Sequence, residues 1–171
     1  MLRVIGYSAP MTTKVKMAMK MKSTESRLDK RQWIDHLSVD EGLAVMLDNQ
    51  AEAIPAIRLG LSSIVQAVTA IHARLARGRG RLIYAGAGTS ARIAVQDGAE
   101  LLPTFDFPAD RVAFVIAGGV EALLRPVENA EDSAAAAASQ IADLALQPDD
   151  CLVALAASGR TPFTLAVVAA A

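Results

Sequence analysis

The sequence predicts an α/β fold in which helices cover both faces of a parallel sheet. Three short apolar runs, at 82–85, 112–117 and 151–156, each lead into a turn that contains glycine. Runs of this length with glycine at the end are typical of buried strands. Helical stretches at 90–100 and 131–146 separate them. Alternation of continuous apolar strands with helices indicates a parallel sheet joined by right-handed crossovers.

Two helices are predicted before the first strand. Ser38 followed by Glu41 is a capping-box pattern, so the first helix should begin directly after Ser38 and continue until Pro55 disturbs it. The second helix has a periodic apolar face, and Gly78 supplies its C-terminal stop. We interpret that face as turned toward the core. Its residues recur at steps of four and three: Ile57, Leu61, Ile64, Val68, Ile71 and Leu75.

Charge and composition argue against several classes of protein. The 171 residues carry a net charge of −1, but residues 1–31 hold +6 and the remainder −7. An acidic folded part argues against a nucleic-acid-binding domain. No continuous apolar run approaches the roughly 20 residues that cross a bilayer, so no membrane span is predicted. The single cysteine, Cys151, cannot form an internal disulfide, which favours a cytoplasmic location.

The predicted organisation has three parts. Residues 1–23 form a disordered basic arm, 24–79 form a helical segment that packs on the sheet domain, and 80–171 form the first part of that domain. A helix starts at Pro162, and the sequence stops inside it. Three strands are few for a doubly wound sheet. We therefore expect the fold to be incomplete at its C-terminal end.

Two loops at predicted strand ends carry groups suited to phosphate. Ligands bind beyond the carboxyl ends of parallel strands, where backbone N–H groups, hydroxyls and helix N-termini can bind phosphate oxygens. The alternative is that the hydroxyls only cap their helices. The candidate binding residues are Gly88, Thr89 and Ser90 in the first loop and Ser158, Gly159, Arg160 and Thr161 in the second.

A dinucleotide site is a weaker interpretation of the first loop. Gly86, Gly88 and Ala91 fit the spacing G-x-G-x-x-A. That fingerprint expects an acidic residue at the end of the second strand, but this strand ends in Ala117-Gly118-Gly119. The lysine of a P-loop is absent from both glycine loops, which argues against a P-loop nucleoside triphosphatase.

Five motifs in order, with Thr24-Glu25 and Ile34-Asp35 upstream, resemble those of N-acetylmuramic acid 6-phosphate etherases. These enzymes belong to the sugar isomerase (SIS) domain group. The resemblance implies a flavodoxin-like parallel sheet that binds a phosphorylated amino sugar, and a homodimer. It covers about residues 24–171, roughly the front half of a typical member. The motifs lie at 86–90, 99–105, 116–119, 128–132 and 156–162.

The resemblance implies a lyase that cleaves the D-lactyl ether, giving N-acetylglucosamine 6-phosphate and D-lactate. Sugar-ring opening creates a C1 aldehyde that acidifies the C2 proton; a base removes it, lactate leaves from C3, and water adds. Two carboxyl groups in different protonation states can supply acid and base without a metal or cofactor. Glu100 and Glu131 match the family's catalytic glutamates, Glu100 as proton donor and Glu131 as its acid–base partner.

Some features leave alternatives open. An unbroken helix from Ser90 would place Glu100 about 15 Å from the phosphate loop, so either the helix ends early, near Gly98, or Glu100 serves a site built with another subunit. Leu101-Leu102 stand where the family has Cys-Pro, and Asn129 replaces a glycine. The second hypothesis is therefore a non-catalytic SIS module that binds a sugar phosphate, or an inactive truncated relative.

Overall fold

The computed structural model describes residues 33–171. The basic arm predicted for 1–23 and the pair Thr24-Glu25 lie outside these residues. The described chain divides into two compact units, one ending at Ala70 and the other formed by Ile71–Ala171.

The first unit is helical. After a short 3-10 turn at Ile34–His36 come helix α1, Val39–Ala51, and helix α2, Ala53–Leu75, whose last turn belongs to the second unit. The predicted capping box is confirmed, because the Glu41 carboxylate accepts from the backbone N–H of Ser38 at 2.9 Å. Pro55 lies in the first turn of α2, where its missing N–H has no helical partner to lose.

The apolar face of α2 is helical as predicted, but the prediction that all of it faces the core is wrong. Of its six side chains, Ile71 and Leu75 pack against a core cluster formed by the described residues. The other four side chains are between 43 and 58% exposed in the described chain: Ile57, Leu61, Ile64 and Val68. Periodicity shows that a helix has an apolar face, but it does not show what covers that face.

The helical stretch Val39–Leu75 also departs from the sequence expectation about membranes. It contains an 18-residue window of mean hydropathy 1.5, none of it buried among the described residues. By length and composition alone the stretch could cross a membrane. A search for unbroken apolar runs does not find this stretch, because scattered polar residues interrupt each run. They lower the mean hydropathy of the window only slightly. Core helices of globular proteins pass the same test, so this is weak evidence for a span.

The second unit contains a three-stranded parallel sheet, which confirms the predicted fold class. Strands β1, Leu82–Gly86, β2, Val112–Ile116, and β3, Cys151–Leu155, are arranged in the order β2-β1-β3. The last residue of β1, Gly86, lies opposite Ile116 of β2 and Leu155 of β3. The carboxyl ends of the three strands therefore lie at the same height at one edge of the sheet.

Helices cover both faces of this sheet. Helix α4, Ala134–Leu144, and helix α5, Pro162–Ala170, pack on one face, where Phe163 and Val167 are fully buried beside Ile83. Helix α3, Gly88–Phe105, and the end of α2 cover the other face, around Tyr84. Sequence-adjacent strands are thus joined through helices, as the alternating pattern predicts.

An ion pair between a buried carboxylate and a half-buried guanidinium fixes the amino end of the sheet. The Asp150 carboxylate, whose side chain is 2% exposed, accepts from the Arg81 guanidinium at 2.6 Å. It also accepts from the backbone N–H groups of Arg81 and Gln147. Burial would raise the pKa of Asp150, but these hydrogen bonds outweigh it and hold that pKa below its usual value. The pair joins the start of β1 to the turn before β3.

Candidate phosphate and sugar site at the carboxyl end of the sheet

The strand order places a topological switch point between β1 and β3. The chain passes from β1 to β2 on one side, then returns across β1 to form β3 on the other. Helix α3 makes the first crossover on one face, and α4 makes the second on the opposite face. Ligands bind at such switch points, outside the carboxyl ends of the strands. The loops at 86–90 and 156–161, both predicted as candidates, flank this point.

The loop after β1 packs its backbone closely against the end of β3 and the start of α3. Gly88 has φ +54°, a left-handed conformation that glycine adopts without strain. A Cβ on Gly86 would lie 3.1 Å from both the Ala91 nitrogen and the Leu155 carbonyl oxygen. Helix α3 starts at Gly88, so the N–H groups of Gly88, Thr89 and Ser90 lie in its first turn, without intrahelical partners.

The loop after β3 is a tight turn. Gly159 has φ +64°, and its N–H donates to the Ala156 carbonyl at 3.0 Å. The Arg160 N–H donates to the Ser158 hydroxyl oxygen at 3.1 Å. Because that oxygen acts there as an acceptor, the bond does not use the Ser158 hydroxyl proton. Thr161 then precedes Pro162, the first residue of α5.

The structure does not support the alternative that the loop hydroxyls only cap their helices. The residue before α3 is Ala87, which has no side-chain hydroxyl, and the Thr161 side chain makes no cap hydrogen bond to α5. By contrast, Ser133 does cap α4, accepting from the Ala136 N–H at 3.2 Å. The hydroxyls of the two candidate loops therefore stand beside helix N-termini without capping them.

Two further groups near this end were not predicted from the sequence. Thr164, in the first turn of α5, is 5% exposed, and its hydroxyl has no hydrogen-bond partner in residues 33–171. Arg92 on α3 donates to the carbonyls of Ala122 and Leu123 at 3.1 and 3.0 Å. It ties the 3-10 turn after β2 to the helix after β1. In the sequence, the only signal for Thr164 was its position two residues after Thr161-Pro162. No sequence signal pointed to Arg92.

Glu100 does not approach the β1 loop of its own chain. Helix α3 continues unbroken to Phe105, so the alternative of an early end near Gly98 is wrong. Ten residues separate Glu100 from Ser90, about 15 Å along the axis, and Glu100 is exposed. Gly98 serves packing instead, because a Cβ there would lie 2.7 Å from the Phe114 ring.

Glu131 lies in a different element from the one predicted. Residues Ala130–Asp132 form a separate 3-10 turn, and α4 begins only at Ala134. The prediction that Glu131 begins the alanine-rich helix is wrong, because Ser133 caps that helix. Asn129 has φ 59°, a left-handed conformation that asparagine tolerates better than most residues, which fits its place at a family glycine. Glu131 is exposed in the connection that leaves the carboxyl end of β2.

Comparison with known proteins agrees with the motifs. Proteins named N-acetylmuramic acid 6-phosphate etherase from Edwardsiella ictaluri and Psychromonas ingrahamii are 47 and 45% identical over 142 residues, 83% of this chain and 47% of each relative. One from Deinococcus radiodurans is 42% identical over 132 residues, 77% of this chain and 43% of the relative. The chain thus spans about half the length of the curated relatives it matches.

The family comparison covers the sheet domain together with part of helix α2. Residues 63–171 match the family described as the glucokinase regulatory protein N-terminal SIS domain. That segment contains all three strands and both candidate loops. With more than half of its residues matched, this chain belongs to that family of SIS domains.

Proposed function

We propose that the protein is a carbon–oxygen lyase that converts N-acetylmuramic acid 6-phosphate and water into N-acetylglucosamine 6-phosphate and D-lactate. The observation that carries this is the pair of loops suited to phosphate that flank one switch point of the sheet, in a chain 47% identical over 142 residues to a protein named as this etherase. The test is D-lactate release by the protein from N-acetylmuramic acid 6-phosphate, compared with the sugar lacking phosphate. Phosphate-dependent release supports the proposal; sugar-phosphate binding without release supports the non-catalytic module instead.

The chemistry assigns two tasks to carboxyl groups. In the open-chain sugar, a base removes the C2 proton, which the C1 aldehyde acidifies, and the C3–oxygen bond breaks as an acid protonates the departing lactate oxygen. Water then adds at C3, and C2 is protonated again. Glu100 donates the proton and Glu131 is its acid–base partner in this proposal, with the 6-phosphate held by the two loops.

The phosphate assignment predicts weaker binding when a loop hydroxyl is lost. Ser90→Ala and Ser158→Ala should each remove one charge-assisted hydrogen bond and weaken binding of glucosamine-type 6-phosphates by about 1.5–3 kcal/mol. Calorimetry measures this change. Ser139→Ala is the matched control, because Ser139 is exposed in the interior of α4. Unchanged affinity in both loop variants would contradict the assignment.

The position of Glu100 is explained if the site forms between two subunits. A helix that carries the glutamate about 15 Å from its own loop can deliver it to the loop of a second copy. Mixing Glu100→Gln protein with Ser158→Ala protein, at a substrate concentration where each alone releases little lactate, should then restore about one quarter of the parent lactate release, because mixed dimers contain one intact site. No recovery in mixtures shown to exchange subunits would place Glu100 in its own subunit's site.

The exposed face of α2 supports this homodimer. Leu61 and Ile64 are 52 and 43% exposed on a regular apolar helix face, which a second copy can bury. We expect a dimer in detergent-free buffer by sedimentation, and Leu61→Lys should shift it toward monomer. The control is Ser62→Lys, also on an exposed part of α2. We place the protein in the cytoplasm; recovery of the protein only in a detergent-extracted membrane fraction would contradict this.

A further inference from the structure

Glu131 stands on a short turn whose position is set by its backbone surroundings. Residues Ala130–Asp132 form a single 3-10 turn, and the Ser133 N–H closes it by donating to the Ala130 carbonyl at 3.3 Å. Within residues 33–171, no hydrogen bond or ion pair holds the Glu131 carboxylate itself. The place of this glutamate therefore depends on what packs against the turn that carries it.

The chain that leaves β2 packs against this turn through Gly118. A Cβ on Gly118 would lie 3.2 Å from the Ala130 Cβ, so the two backbones approach closely. Gly118 has φ +78°, a left-handed conformation that glycine adopts without strain. Ala130 also packs against the core cluster that contains Phe163. Because its position is constrained by both contacts, a shift of Gly118 should displace the turn that carries Glu131.

The Gln140 side chain fixes the backbone on which Gly118 depends. Its amide donates to the Ile116 carbonyl at 3.0 Å and accepts from the Ile116 N–H at 3.1 Å. A primary amide is suited to this task because it offers both a donor and an acceptor. The same Ile116 carbonyl accepts from the Gly119 N–H at 2.9 Å. Gln140 therefore anchors a four-residue turn, 116–119, that contains Gly118.

We propose that Gln140 is a positioning residue, which acts through the turn at 116–119 to fix the place of Glu131. The inference rests on the proposed function, because it takes Glu131 as the acid–base partner of the reaction. A glutamine that only satisfied the edge of β2 would affect stability alone. One that positions Glu131 also affects the rate at saturating substrate, since a misplacement of about 1 Å costs about 10²-fold in rate.

Kinetics of D-lactate release separate positioning from stability. Gln140→Met keeps the length of the side chain but removes both hydrogen bonds, so it should lower kcat by about 10-fold to 10²-fold with little change in KM. In a Glu131→Gln background the same change should lower kcat by less than about twofold, because the group it positions is already lost. The control is Gln147→Met, which should keep the parent kcat, since the Gln147 side chain donates to the exposed Ala145 carbonyl. A parent-like kcat in Gln140→Met, or an equal loss in both backgrounds, would overturn the inference.

Residue-resolved amide hydrogen exchange tests the same coupling without turnover. In Gln140→Met, exchange should accelerate by more than about tenfold at Gly119 and Ser133. Exchange at Ala137, whose N–H donates to the Ser133 carbonyl in the first turn of α4, should stay as in the parent. Unchanged exchange at Ser133, or equal acceleration at Ala137 through general loosening of α4, would overturn the inference. If the parent releases no lactate, the proposed function fails and this measurement alone decides whether Gln140 holds the turn.

A pair of glycine variants decides the question if thermal melting shows that Gln140→Met does not fold. Gly118→Ala places a Cβ against Ala130 and should lower kcat by about 10-fold or more with little change in KM. Gly78→Ala is the matched control, because Gly78 has φ +81° but a Cβ there would meet nothing within 4 Å. Both variants carry the strain of a left-handed alanine, so both should melt earlier than the parent. An equal kcat in the two variants would overturn the inference.

Discussion

Glu100→Gln and Glu131→Gln are each expected to lower D-lactate release by about 10²–10⁴-fold, the usual contribution of a positioned acid or base. Glutamine keeps the shape of the side chain but cannot exchange a proton at working pH. Because our proposal assigns the phosphate to the loops after β1 and β3, its affinity should change little. The measurement is turnover of N-acetylmuramic acid 6-phosphate alongside calorimetry of phosphate binding.

Deuterated water assigns the two roles. A variant that exchanges the C2 hydrogen without releasing lactate has lost its acid, and one that does neither has lost its base. Glu121→Gln is the matched control, since Glu121 is an exposed carboxylate in the 3-10 turn after β2. Lactate release at the parent rate from both Glu100 and Glu131 variants would show that these are surface residues and that the site lies elsewhere.

Asp150→Asn is expected to lower the free energy of unfolding by about 1–3 kcal/mol, because it leaves the half-buried Arg81 guanidinium without its charge partner. The Asp150 carboxylate also accepts two backbone N–H groups that an amide oxygen serves less well. Denaturant unfolding measures the change. The control is Asp149→Asn, whose ion pair joins an Arg77 side chain that is 64% exposed and should contribute at most about 1 kcal/mol.

The same ion pair predicts a pH dependence. The pKa of Asp150 is lower in the folded chain than its usual value of 3.8, so its contribution to stability is present above that value and is lost as pH falls through the folded pKa. The Asp150→Asn variant should therefore lose less stability than the parent on acidification below about pH 4. Parallel acid-stability curves for the two proteins would contradict this assignment.

Local patterns predicted the strands and the loops well. Apolar runs that end in glycine located β1, β2 and β3, since a buried parallel strand needs side chains that are apolar on both faces. The strand-end rule then predicted that Ser90 and Ser158 follow neighbouring strands of the sheet, as β1 and β3 do. Such signals are carried by a few neighbouring residues, and the sequence displays them directly.

Features that depend on distant partners were missed. The hydrogen bonds from Gln140 to Ile116 join residues 24 positions apart, and nothing in the alanine-rich helix marks that glutamine. The exposure of Ile57 depends on which surface lies beside α2, which periodicity does not report. Glu131 was placed in the wrong element because a hydroxyl two residues later, Ser133, is the stronger helix start.

The central claim is tested most directly by the fate of hydrogen at C2 of the sugar. The protein is incubated with N-acetylmuramic acid 6-phosphate in deuterated water, and the products are examined by mass spectrometry and proton NMR. Elimination followed by addition of water predicts N-acetylglucosamine 6-phosphate carrying deuterium at C2, formed together with one equivalent of D-lactate. Lactate released with the original hydrogen retained at C2 would contradict the elimination mechanism, and binding of the sugar phosphate with no lactate at all would contradict the proposed activity.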